Sequence, residues 1–220
     1  MKKLINFIAL TFLCTSIVVA QNEAFVTKME ANIANLKNAK TVAELTEVMN
    51  VFDRIAEVES SNWLPLYYGA QTRMLIAGIH NNNGETAKVK SFVGQAQTKL
   101  DQALKINSDE AELHALQAHI YQGRIWEDYE NNGPTYTNLV MASCGKATGL
   151  DPDNPRADCV MAQQIFHMPA FIGGGAENAL PIFKKAKEKY KNFTPKSSIH
   201  PNWGEEIVDY YLKQAGGKKQ

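Results

Sequence analysis

AQTKLDQALKINSDEAELHALQAHIYQG, residues 96–123, and YTNLVMASCGKATGLDPDNPRADCVMAQQI, residues 136–165, are two passes of one pattern. In each, a helix of small and apolar residues ends in a short polar turn, and a second helix starts at once. Ala96, Leu100, Ala103 and Leu104 share one face in the first pass, and Val140, Cys144 and Ala147 share one in the second. Repetition at a fixed offset decides the architecture, because a helix pair that cannot bury its own apolar face must stack on a neighbour.

Working outward, the same periodicity continues. Phe25, Met29, Ile33 and Leu36 form one stripe, and Leu45, Met49, Phe52 and Ala56 form the next. Thr41 and Glu44 between them have capping-box spacing, in which hydroxyl and carboxylate satisfy free amides. Asn62 caps a third helix carrying Trp63, Leu66, Tyr67, Ala70, Met74 and Ile76, with Pro65 tolerated in its first turn. A long helix is expected over 85–105. Ser108 is expected to cap the following helix, and Pro155 to occupy the first position of another. Residues 126–136 read as a polar and aromatic connection, and 167–175 as a loop ending in three glycines. Ala179, Phe183, Ala186 and Tyr190 mark a further helix. Pro201 is expected to open the last one, with Trp203, Ile207, Tyr210 and Tyr211 on its face. The periodicity gives an all-α chain of about nine helices with no sheet.

Met1-Lys2-Lys3 followed by the apolar run Leu4–Val19 is the pattern of a secretory signal peptide, with cleavage expected after Ala20. Cys14 does not make it a lipoprotein signal, because Leu13 stands where a small residue is needed. The expected organisation is a signal peptide over 1–20, a helical domain over 21–215 and a flexible tail over 216–220. The mature protein is expected to be periplasmic or secreted, without membrane insertion. Formal charge over the whole chain is balanced. Removing Lys2 and Lys3 leaves it mildly acidic, which argues against a nucleic-acid surface.

The chain resembles the tetratricopeptide repeat family, whose unit is a helix pair of about 34 residues. The family's second helix carries a small residue, a bulky one four later and an alanine three after that. Ala96, Leu100 and Ala103 match, Ala179, Phe183 and Ala186 match, and Val140, Cys144 and Ala147 match more loosely. Ala118 with Tyr121 fits the first helix, and Pro152 stands at the turn proline. The resemblance covers about Asn62 to Tyr190 and implies a right-handed helical solenoid with binding on its concave face.

The aromatics are the candidate binding residues: Trp63, Tyr67, Tyr68, Trp126 and Tyr129, together with His167 and Phe171 from the glycine loop. Trp63 and Tyr67 are four apart and could line a groove, or they could pack between repeats. Cys144 and Cys159 flank the Asp151-Pro152 turn at similar distance, which leaves a disulfide and two buried thiols both open. His80, His114, His119, His167 and His200 show no zinc-motif spacing, so no metal site is expected. No set of titratable residues converges in a catalytic pattern, and no cofactor is expected. The leading reading is a non-catalytic exported scaffold for a peptide or protein partner. The alternative is a periplasmic solute-binding or transporter-associated subunit with a small-molecule pocket.

Overall fold

The computed structural model describes residues 23–216. The signal peptide and the last four residues of the tail lie outside them. Among the described residues there are nine α-helices and no strand: α1 (23–38), α2 (Val42–Val58), α3 (Trp63–Asn82), α4 (Thr86–Ile106), α5 (Ala111–Glu127), α6 (Tyr129–Leu150), α7 (Pro155–His167), α8 (Ala176–Asn192) and α9 (Glu205–Gly216). A 3-10 turn at Ala170–Ile172 follows α7.

From α2 onward each helix packs on the next, and α3 also packs on α5, and α5 on α7. This is the contact order of stacked helix hairpins, with two rows. The inner row, α3, α5 and α7, is buried on most of its faces, charged and amide side chains included. The outer row, α4, α6 and α8, buries one stripe each. Those stripes contain Ala96, Leu100 and Ala103; Val140, Cys144 and Ala147; and Ala179, Phe183 and Ala186, every one of them fully buried. The small residues set the helix separation, and the bulky one fills it. Gly123 serves the same end in the inner row. A Cβ there would stand 2.8 Å from Met74 Cε and Val93 Cγ2, so the close approach of α5 to α3 and α4 needs a bare backbone.

Local chemistry sets most boundaries. Thr41 and Glu44 form the expected capping box, Asn62 caps α3, and Pro155 opens α7 behind an Asn154 cap. Three boundaries differ from expectation. Residues 126–136 are not a connection: only Asp128 separates α5 from α6, because its carboxylate caps α6 by accepting from Asn131 N, and Pro134 is carried inside the helix. Glu110 rather than Ser108 caps α5, and the Ser108 carbonyl lies 2.8 Å from the His114 ring instead. The last helix starts at Glu205, so Trp203 belongs to the connection before it.

A buried polar knot ties the rows together. Arg156 and Glu112, both fully buried, form an ion pair between α7 and α5, with Arg156 Nε donating to Glu112 Oε2 at 2.5 Å. Asn154 Nδ2 donates to Glu112 Oε1 at 2.6 Å, and the guanidinium lies 4.3 Å from the Phe193 ring centre. Burial alone would make Arg156 easier to deprotonate, but Glu112 outweighs it and raises its pKa further.

Candidate functional site

The connection from Phe193 to Gly204 carries no helical period, yet it is pinned at several points. It crosses back over α3 and α5. Tyr68 Oη donates to the Ile199 carbonyl at 3.1 Å, Trp203 Nε1 to Tyr67 Oη at 2.7 Å, and Tyr190 Oη to the Trp203 carbonyl at 2.9 Å. Lys196 donates to both carboxylate oxygens of Glu110, at 3.2 and 3.0 Å. Burial pushes the Glu110 carboxyl upward, but the facing His200 and Lys196 pull harder and hold it at about 2. Gly204 ends the segment at φ +104°, where a Cβ would fall 2.3 Å from Tyr190 Oη, so only glycine lets Tyr190 reach its acceptor.

Between this segment and the helices lies a partly enclosed cavity of about 380 Å³. Its apolar wall comes from Ile33 and Leu36 of α1, Tyr68 and Leu75 of α3, Trp203, and Ile207 of α9. Lys37, Ser197, Ser198 and Asn202 add exposed or half-exposed polar groups. Gln71, His119 and His200 add buried or half-buried ones. Several of their polar atoms are orphans among the described residues: Gln71 Oε1 and His119 Nδ1 have no hydrogen-bond partner, and neither ring nitrogen of His200 has one. Buried polar atoms are normally satisfied, and these unpaired ones belong to side chains that line the cavity. Burial pushes His119 down to about 4, which keeps its imidazole neutral at physiological pH.

The fold resembles that of a haemophore. The HusA haemophore from Porphyromonas gingivalis superposes with a TM-score of 0.77 at 26% identity, over 89% of this chain and 94% of that one. A thermophilic TPR protein of Thermus thermophilus aligns at 14% identity with a TM-score of 0.44, over 87% of this chain and 98% of that one. No family profile matches the chain, and no curated protein matches its sequence. Its all-α fold is therefore what the chain shares with the haemophore.

The expected site residues separate into three groups. Tyr68 lines the cavity. Trp63, Tyr67 and Trp126 stand behind it: Trp63 packs edge-on against His200 at 5.8 Å, Tyr67 accepts from Trp203, and Trp126 packs edge-on against His119 at 6.0 Å. Tyr129, His167 and Phe171 lie elsewhere. Tyr129 and Phe171 are exposed, and His167 Nε2 sits 2.7 Å from Tyr211 Oη. Cys144 and Cys159 are free, buried thiols rather than a bridge. Cys144 packs with Ala118, Val140 and Val160, whereas Cys159 packs with Phe183 and Val208. The two side chains thus serve different seams, and burial pushes both thiols up to about 12.

Sequence reasoning missed Gln71, His119, His200 and Trp203. His114 bonds the Ser108 carbonyl, away from the cavity lining. A single histidine on a buried face is nonetheless enough to reach the cavity. Among the described residues no three His, Cys, Asp or Glu side chains gather to hold a bare metal ion, and no helix is long and apolar enough to cross a membrane.

Proposed function

We propose that this protein is an exported, non-catalytic carrier that holds a planar, largely apolar tetrapyrrole, haem or a porphyrin, in the cavity beneath the 193–204 segment. One observation carries the reading: an apolar cavity with unpaired imidazoles in its wall, on a fold shared with a haemophore. Its volume of about 380 Å³ lies in the range of ligand pockets. Tyr68 and Trp203 supply flat aromatic surface. His119, neutral and lining the cavity, would be the imidazole to hold an iron, because the neutral ring is the form that ligates metals. Export rests on the 1–20 signal pattern.

The test is a haemin titration of the mature protein followed in the Soret region. A saturable band shift at one equivalent is expected, and His119→Ala should alter the band position of the complex. No band shift and no thermal stabilisation by haemin would sink the carrier reading.

A second reading, a scaffold for a protein partner, draws on Phe171, which is 89% exposed beside the exposed Ile172. Affinity capture of one partner that depends on Phe171, with haemin failing to bind, would favour it. Against it stands the 193–204 segment, which covers the part of the inner row a partner helix would otherwise reach.

A further inference from the structure

Gln71 and His200 are each 6% exposed, and both line the cavity. Their open valences differ from that of His119. They come from two elements, α3 and the 193–204 segment, and both can donate or accept. An amide presents oxygen or nitrogen after a half-turn, and an imidazole presents N–H or a lone pair according to its tautomer. His200 Nε2 stands 3.9 Å from Glu110 Oε1, too far for a hydrogen bond, so Glu110 does not satisfy it. Glu110 is instead neutralised by Lys196. Glu110 thus faces His200 without bonding it, and both His200 ring nitrogens keep their hydrogen-bonding capacity unused.

The remaining polar lining is rich in donors: Lys37, Ser197, Ser198 and Asn202. The one carboxylate that lines the cavity among the described residues, Glu206, accepts from Gly204 N at 3.3 Å. A wall of donors with its own carboxylate turned to the backbone suits an anionic acceptor on the ligand.

We propose that Gln71 and His200 form a buried carboxylate-binding subsite, so that the cavity takes a tetrapyrrole through one of its acid side chains and not through its apolar face alone. The inference rests on the carrier reading above. The carboxylate accepts from Gln71 Nε2, with the amide turned, and from a His200 N–H. One orphaned position on each residue is then satisfied in one step. An esterified ligand offers only a neutral carbonyl acceptor in place of the carboxylate, and the loss of the charge-assisted bond makes the subsite selective.

Fluorescence titration with iron-free protoporphyrin IX and with its dimethyl ester tests this. The pair differs in the acid groups and contains no iron, so His119 ligation does not enter. The wild-type protein is expected to prefer the acid by about tenfold or more, the scale of one charge-assisted hydrogen bond. His200→Phe keeps the packing against Trp63, and Gln71→Leu keeps the bulk. Each should narrow the ratio of acid to ester affinity. Equal affinities for acid and ester in the wild-type protein would overturn the subsite while leaving the carrier reading standing. So would a preference that survives both substitutions, or one that Lys37→Ala abolishes and His200→Phe does not. Binding of neither porphyrin, with haemin also failing, overturns the carrier reading and the subsite with it.

Discussion

Trp203 donates its indole N–H to the hydroxyl of Tyr67 at 2.7 Å, across 136 positions of sequence. Tyr67 is fully buried in α3, and burial raises its pKa well above the ordinary phenol value, so the hydroxyl stays neutral and needs its partner. This contact fixes the end of the 193–204 segment over the inner row. It also orients the indole that forms part of the cavity wall.

Trp203→Phe should therefore lower the unfolding free energy by about 1–3 kcal/mol, the cost of stranding a buried hydroxyl, on top of the smaller ring. Adding Tyr67→Phe removes the stranded group, so the double variant should be no less stable than Trp203→Phe alone. Urea denaturation reads both. Fully additive losses would mean that the two residues act independently.

Arg156 and Glu112 give a second, sharper case. Breaking a buried ion pair leaves a charge with no counterpart, at a cost of about 3–5 kcal/mol, whereas replacing both partners by apolar residues is often close to neutral. Arg156→Met should thus destabilise strongly, because Glu112 remains in the packed interior with only Asn154 to donate to it. The double variant Glu112→Leu/Arg156→Met should recover most of the loss in the same denaturation assay. No recovery would mean that the Arg156 contact with Phe193 carries the stability instead.

The pH dependence should show two separate windows. His119 has its pKa lowered by burial from 6.5 to about 4, so the unfolded chain binds this proton more readily than the folded one. Its contribution is intact above about 6.5 and is withdrawn as pH falls toward 4. Glu110 is lowered from 4.5 to about 2, so its contribution is intact above about 4.5 and is lost as pH falls toward 2. Melting temperature measured against pH should fall in both windows. His119→Phe should flatten the upper one and Glu110→Gln the lower one. An unchanged upper slope in His119→Phe would show that another group titrates there.

Helix positions are legible in the residues because their causes are local. The Thr41–Glu44 box, the Asn62 cap and Pro155 act within a turn, and the stripe Ala96, Leu100, Ala103 follows from 3.6 residues per turn. The start of α6 at Asp128 is hidden by Gly133-Pro134, a strong breaker signal, yet a well-placed cap and neighbouring helices hold the turn. Of the aromatics the sequence singles out, Tyr68 alone stands on the cavity wall. Trp63, Tyr67 and Trp126 carry large apolar area, the usual mark of a binding aromatic, but spend it against His200, Trp203 and His119.

By itself the sequence determined an all-α stack of helix pairs, because periodicity and capping are properties of short windows. Only the tertiary structure decided that one side of α3 and α5 is a partly closed cavity. That outcome depends on a segment without period, 193–204, returning to residues such as Tyr68, 131 positions before its contact at Ile199. Burial then changes what His119, His200 and Gln71 are, from ordinary polar residues into unpaired groups in an apolar wall. No spacing rule encodes that change, since it arises from which distant surfaces exclude water together.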